Sequence, residues 1–471
     1  MKTPYEYFRE LMNIPRTSGN EKAAADFVER IALDAGCDVY RDEMNNLIVK
    51  KAASEGLENV PAFMLQGHLD MVGEAAAGVN HDFMTDPVKP IIDGDILRAD
   101  GTTLGGDDGV AVSIMLAALT DETLVHPALE CVFTVQEETG LFGAGALDKS
   151  RLTARSLLNL DAGPEGLFIV SCAGGCRMSL TRPVTVTAAS QIGYKLVVTG
   201  LVGGHSGELI DRQSGNAILM SGILSDGILS AGGQIGVPTA GDKDNVIPSN
   251  CVTYFAFDGD VDSVLNPIKE NLIASYGATD EGLNIYWERC ELESVLKSDD
   301  AEAMLGILRL LPNGVIRRTV GMTELVETSA NVAVIRMVDG NLIIHLSLRS
   351  SSDFEKKQLM RRVETVADIF GADCKSSGVY PGWNYEQNSP LRDMACAAFE
   401  KVYGYAPKCE GIHAGLECGL FKGTLPDLDI VSTGPLYGDL HMPTEWLNIP
   451  SLQRTYEFAK QLITDFANSK K

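Results

Sequence analysis

The stretch DGTTLGGDDGV, Asp100–Val110, sets four glycines and three carboxylates within eleven residues. A glycine-rich turn commonly cradles an anion with its backbone N–H groups. Here Asp107 and Asp108 would repel one, and no Gly-Lys-Ser/Thr follows, so a phosphate cradle is excluded. Two readings remain: a solvated turn, or a loop whose carboxylates face a cation. The residues that follow, GVAVSIMLAALTD, are apolar on every side and predict a buried helix.

Around this loop the pattern alternates. PAFMLQ predicts a strand running into GHLDMV, LECVFTVQ a second running into EETG, and SLLNLDAG a third. With the buried helix between them, they predict an α/β layer whose sheet is covered on its faces. Upstream, SGNEKAAADFVERIALDAG predicts a helix with Ser18 and Asn20 as N-cap candidates and Gly36 as its stop. CDVYRDEMNNLIVKK predicts a strand pair turning at Asn45-Asn46. From about Cys176 the texture changes to sheet strands such as YKLVVTG, VTYFAFDG, LNIYWERCEL and LIIHLSLRS, separated by helical segments. The order strand, helix, strand, helix occurs near residues 192–276 and again near 283–378, which predicts two α+β subunits. SGVYPGWNYEQNSP is expected to be a linker, after which LRDMACAAFEKVYG, LDIVSTGP and SLQRTYEFAKQLITDFANSKK return to the first texture. The expected division is a first domain in two parts, 1–177 and 383–471, interrupted by an inserted domain, 178–382.

The chain has 471 residues, enough for two or three domains, with 64 acidic against 39 basic side chains and a formal net charge of −25. Such a surface repels phosphate backbones and anionic headgroups, so neither nucleic acid nor a membrane is an expected partner. The start, MKTPYEYFRELMNIPRTSG, carries charges where a signal peptide needs an apolar core, and a cytoplasmic location is expected. Ten cysteines scattered through apolar stretches fit free thiols in a reducing compartment. Cys172 and Cys176 have no second pair nearby to complete a zinc knuckle.

Candidate metal ligands sit just after predicted strands, where α/β sheets place their sites. They are His68 and Asp70 in QGHLDMV, Asp107 and Asp108 in GGDDG, Glu137 and Glu138 in VQEETG, Asp161 in NLDAG, and His441 in GDLHMP. Imidazoles with carboxylates form the donor set for zinc or a similar divalent ion, with an acid left over for base chemistry. Crowded acids repel one another unless cations lie between them, which favours the second reading of the glycine loop. His81, His126 and His345 are read as ordinary core or surface histidines.

GHLDMV, GGDDGVAV, QEETGLFGA, NLDAG, GGHSG and LHMPTEW, in this order, resemble the co-catalytic zinc metallopeptidases related to carboxypeptidase G and aminoacylase. Within them the chain is most similar to the aminoacyl-histidine (Xaa-His) dipeptidases. The resemblance covers nearly the whole chain. It implies a catalytic domain with a central mixed sheet flanked by helices, interrupted by an α+β lid and dimerisation domain, and a homodimer. It implies two divalent ions, zinc by expectation with cobalt or manganese as alternatives. His68 and Asp161 would hold one ion, Glu138 and His441 the other, with Asp107 bridging the two, and the peptide between Asp107 and Asp108 would be cis. Glu137 would be the general base acting on a bridging water, and Asp70 the acid that orients His68. The resemblance also implies His205 as an oxyanion stabiliser, and Asn245 and Arg349 as residues binding the backbone and C-terminal carboxylate of a dipeptide, with His413 and Glu417 reading its ends. The implied activity is hydrolysis of unblocked dipeptides, Xaa-His among them. An N-acyl-amino-acid amidohydrolase using the same site is the alternative, and a metal-binding scaffold without turnover a more remote one.

Overall fold

The structure is a computed structural model and describes residues 2–469. Two compact units divide it: Met1–Cys172 with Asn384–Ile412 and Leu416–Lys471, and Ala173–Trp383 with His413–Gly415. Residues 173–177, placed in the first part by the sequence reading, thus open the second unit, and His413 belongs to it as well.

In the first unit an eight-stranded mixed sheet runs in the spatial order Asp38–Arg41, Leu47–Lys51, Leu129–Thr134, Phe63–His68, Ser156–Asn159, Asp429–Ser432, Leu167–Cys172 and Lys408–Ile412. Phe63–His68 pairs in parallel with the strands on both sides of it, and all six of its residues are buried. That is why it reads as a continuous apolar run rather than an alternating one. Parallel neighbours end at the same edge, so the turns after His68, Thr134 and Asn159 emerge together. The Gly106–Thr120 helix is buried on nearly every face from Asp108 to Leu119, against the sheet and the Pro4–Leu11 and Ile449–Ser469 helices. Its missing polar stripe follows from that position. A four-stranded sheet of Pro90–Asp93, Ile96–Ala99, Trp446–Asn448 and Tyr437–Gly438 carries the segment that contains His441.

In the second unit Gly314–Thr319, Met322–Val338, Asn341–Ser350, Gly174–Pro183 and Asp373–Tyr380 form a five-stranded antiparallel sheet. Gln234–Ile235, Cys251–Ala256, Gly193–Thr199 and Asn284–Arg289 form a four-stranded one. Asn284–Arg289, expected to open the second α+β subunit, pairs instead with Gly193–Thr199 and closes the first sheet. One apolar core, including Leu196, Phe255, Met304, Leu346 and Val363, is shared by strands of both sheets and the helices on them. It joins the two expected subunits into one body.

Three local expectations change. The first long helix begins at Lys22 with Glu21 at its N-cap and no side-chain cap, so neither Ser18 nor Asn20 fills that place. The expected linker begins inside a strand, since Ser377–Tyr380 completes Asp373–Tyr380. The Asn45 turn has the left-handed backbone (φ +80°) that asparagine tolerates. All ten cysteines are free. His126 is buried with Nδ1 2.7 Å from the Pro127 carbonyl, a satisfied core histidine. Among the described residues no helix is long and apolar enough to cross a membrane.

Candidate metal centre

The first unit brings together side chains that are hundreds of residues apart in sequence. His68 ends its strand with Nε2 3.0 Å from Asp107 Oδ1 and 3.8 Å from Asp161 Oδ1. His441 enters on a loop in left-handed conformation (φ +61°), its Nε2 3.2 Å from Asp107 Oδ2 and 2.9 Å from Glu138 Oε1. Asp107 therefore offers one oxygen to each imidazole. Three overlapping groups, His68–Asp107–Asp161, Asp107–Glu138–His441 and His68–Glu137–Glu138, each have donor atoms within 4.8 Å of one another. The Asp107–Asp108 peptide bond is cis.

Asp70 lies behind His68. Its Oδ1 is 3.3 Å from His68 Nδ1 and accepts from the Glu137 N–H at 3.1 Å, and its Oδ2 accepts from the Glu138 N–H at 3.2 Å. A single carboxylate thus sets the ring of His68 and the turn carrying both glutamates. Burial alone would raise this carboxyl, but its bonds to His68, Ser18 and the Glu137 N–H hold it at about 2. Ser18, expected as a helix cap, donates to Asp70 Oδ2 at 2.7 Å instead. Asp108 does not face the donors. Its Oδ2 accepts from the His68 N–H at 3.1 Å, and its Oδ1 from the Ala111 N–H at 3.3 Å. No side chain fits at Gly67, where a Cβ would lie 2.3 Å from Ala111 Cβ and 2.4 Å from Asp108 Oδ2.

The charges show what the arrangement lacks. Burial pushes the Asp161 carboxyl well up, and burial with neighbouring acids pushes Glu137 to about 8. His441, beside Asp107 and Glu138, is driven up to about 10, and His68 is raised against its own burial by Asp107 and Asp70. Protons on the imidazoles stand in for positive charge that the acids call for. Glu138 Oε1 is buried, and among the described residues the only polar partner facing it is His441 Nε2 at 2.9 Å. The two atoms face each other as two donors to one cation would. Five N and O donors, two of them imidazole, fit divalent ions of the zinc class.

In the second unit, Gly204–His205 pairs with Val246–Ile247, and the Ser206 N–H donates to the Asn245 carbonyl at 2.8 Å, so His205 and Asn245 sit on adjoining segments. Arg349 is opposite Ser329 across the long hairpin and is 8% exposed. Its Nη2 lies 3.4 Å from His205 Nε2. A guanidinium only donates, so His205 accepts at Nε2 and carries its proton on Nδ1. Burial and Arg349 keep His205 below its ordinary range and hold His413 at about 3, so both imidazoles are neutral near pH 7. His413 Nε2 is 2.7 Å from Ser329 Oγ. His205 Nδ1, Arg349 Nε and His413 Nδ1 are buried without a hydrogen-bond partner. Among the described residues no carboxylate pairs with Arg349, and the carboxylate nearest His205 Nδ1 is Glu208, whose Oε1 lies 3.8 Å away.

Glu417, expected to read an end of the dipeptide, belongs to the first unit and is fully buried. Its Oε2 accepts from Gln66 Nε2 at 2.5 Å and Thr134 Oγ1 at 2.6 Å, at the ends of the two strands that lead to His68 and Glu137. Burial pushes its carboxyl to about 7. Through Oε2 it supports those strand ends, while its Oε1 is buried without a hydrogen-bond partner.

Residues 64–465 match the sequence profile of peptidase family M20/M25/M40. The Escherichia coli (strain K12) cytosol non-specific dipeptidase is 33% identical over 471 residues, covering 98% of this chain and 97% of that protein. The crystal structure of aminoacylhistidine dipeptidase from Vibrio alginolyticus superposes with a TM-score of 0.94 at 32% identity, over 98% of this chain and 96% of the other. A Bacillus cereus aminopeptidase shares the fold with a TM-score of 0.63 at 18% identity, over 98% of each chain.

Proposed function

The chain belongs to peptidase family M20/M25/M40, and from that premise we propose that it is a metal-dependent dipeptidase that hydrolyses unblocked dipeptides, Xaa-His dipeptides among them. The observation that carries this reading is the convergence of His68, Asp107, Glu138, Asp161 and His441 with Glu137 beside them. The two full-length relatives, one a non-specific dipeptidase and one an aminoacylhistidine dipeptidase, support the substrate class. In this reading His68 and Asp161 hold one divalent ion, Glu138 and His441 the other, and Asp107 bridges them.

A pair of zinc ions bound there would supply Lewis acidity, polarising the scissile carbonyl and acidifying water. The remaining work falls to the protein. Glu137, half-buried beside His68 and Glu138, takes a proton from the attacking water and returns it to the leaving amine. Asp70 fixes His68 with its Nε2 towards Asp107 and Asp161, where it would serve as a ligand. The Nδ1–H of His205, buried and unpartnered, is the donor for the developing oxyanion. Arg349, a buried cation with no carboxylate of its own, binds the C-terminal carboxylate of the dipeptide, and Asn245 its backbone. Zinc as the native ion, a cytoplasmic location and a homodimer complete the proposal. The name of the Escherichia coli relative and the imidazole content of the site speak for the first two, and the resemblance alone for the third.

The test is a dipeptide panel, including β-alanyl-histidine and N-acetylated controls, run on metal-free protein reconstituted with zinc, cobalt or manganese. Cleavage of free dipeptides and refusal of the acetylated ones is the expected result. The opposite preference establishes an N-acyl-amino-acid amidohydrolase.

A further inference from the structure

The glycine-rich loop does cradle a carboxyl group, and it belongs to the protein; burial raises that group against the pull of the loop's N–H donors. Glu445 is 2% exposed, and its Oε2 accepts from the backbone N–H of Leu104 at 2.7 Å and of Gly105 at 3.1 Å. Its Oε1 accepts from Gly106 at 2.7 Å and lies 3.4 Å from the Asp107 N–H. Bonds from N–H groups to a carboxylate are among the stronger ones a backbone can make. On the other side of the loop, Arg16, 3% exposed, donates to the carbonyl of Gly105 and, through Nη1, to those of Leu69 at 2.7 Å and Asp70 at 2.9 Å.

The glycines follow from this double grip. A Cβ at Gly105, whose φ is +72°, would lie 2.6 Å from Arg16 Nη2, and one at Gly109 2.7 Å from the same atom. One at Gly106 would lie 3.0 Å from Glu445 Oε1. Glu445 is also four residues beyond His441, which reaches Asp107 Oδ2. The 441–445 segment therefore holds Asp107 twice, at its carboxylate and at its own backbone, and Arg16 ties the same loop to the segment of His68 and Asp70.

We propose that Glu445 is a positioning residue that fixes Asp107 between the two ion sites, with Arg16 as its counterpart across the loop. The inference rests on the dinuclear reading and adds to it a determinant that touches neither ion nor substrate. The experiment titrates zinc into metal-free wild type, E445Q, E445D and R16K, and records the visible spectrum of each after loading with cobalt. Replacing one oxygen by an amide NH₂ sets a donor against the loop's donors. E445Q is thus expected to bind zinc about 10–100-fold more weakly, with an altered cobalt spectrum and a fall in kcat at unchanged KM. E445D, which keeps the charge with a shorter reach, recovers part of the affinity. R16K keeps its charge but loses the fork that spans three carbonyls, and weakens zinc binding in the same way should E445Q not fold. Wild-type zinc affinity and an unchanged cobalt spectrum in both E445Q and R16K overturn the inference while leaving the dinuclear reading intact. Wild-type protein that takes up no zinc overturns both.

Discussion

Loading the metal-free protein with zinc at pH 7 is expected to expel protons, and the structure sets how many. His441 titrates at about 10, because Asp107 and Glu138 hold its proton. At pH 7 only about one ring in a thousand is then free to ligate. His68 is raised as well, by Asp107 and Asp70 against the pull of burial. A ligating imidazole must be neutral, so at least about two protons leave for each pair of ions bound. Apparent affinity for the pair then falls roughly 100-fold for each unit of pH lost below neutrality. The sign can be tested on its own in the metal-free protein. A histidine raised from 6.5 to about 10 stabilises the fold below 6.5, and that stabilisation disappears as pH rises through about 10. The assay is titration calorimetry in buffers of different ionisation enthalpy at one pH. The slope of observed heat against buffer ionisation enthalpy counts the protons. A slope near zero at pH 7 would refute the reasoning, since the rings would then enter the site already neutral and the acids around them would not be holding protons in place of cations.

Glu137→Gln is expected to leave bound zinc unchanged and to lower kcat by about 10²–10⁴, measured with elemental analysis beside steady-state kinetics. Full zinc binding with no turnover of any amide substrate, in wild type and variant alike, would favour the scaffold reading. Gly67→Ala forces a methyl against Ala111 and the Asp108 carboxylate. A loss of about 1–3 kcal/mol in urea unfolding is expected, together with weaker zinc binding, because Asp108 holds the backbone of His68. Glu417 is fully buried and raised from 4.5 to about 7. Its ionisation therefore costs the metal-free protein about 3 kcal/mol of stability between those pH values. Glu417→Gln removes this loss. Its stability relative to wild type is expected to rise by that amount between pH 4.5 and 8, and parallel unfolding curves for the two proteins would contradict it.

His68, Glu138 and Asp161 were legible because each stands at or just after the end of an apolar strand, whereas Asp107 and His441 were marked only by the motifs that contain them. Parallel strands 63–68, 129–134 and 156–159 end together, so position along the strand sufficed to place His68, Glu138 and Asp161 at one edge. What grips the loop was not legible. Glu445 meets the backbone of Leu104 across 341 residues, and backbone N–H groups carry no side-chain signature of the partner they choose. Glu445 stands in the LHMPTEW motif, but nothing in that motif distinguishes a carboxylate that binds an ion from one that binds amides. Ser18 resembled a cap because serine before a helical run ordinarily is one, and the partner that claimed it, Asp70, is 52 residues away. Asn284–Arg289 was assigned to the wrong neighbour for a similar reason. Alternation marks a strand but does not say which edge it joins. Glu417 was drawn towards the substrate by its motif, and the bonds from Gln66 and Thr134 that claim one of its oxygens were not legible there.

The route of the chain has a consequence for biosynthesis. His68, Asp107, Glu138 and Asp161 leave the ribosome early, and Ala173–Trp383 is made before His441 and Glu445 exist. Until then the loop around Asp107 lacks the carboxylate that satisfies its amides, and Asp107 and Glu138 lack the imidazole that faces them. The nascent polypeptide thus carries most of its candidate donors without the means to aim them until the 441–445 segment has been made.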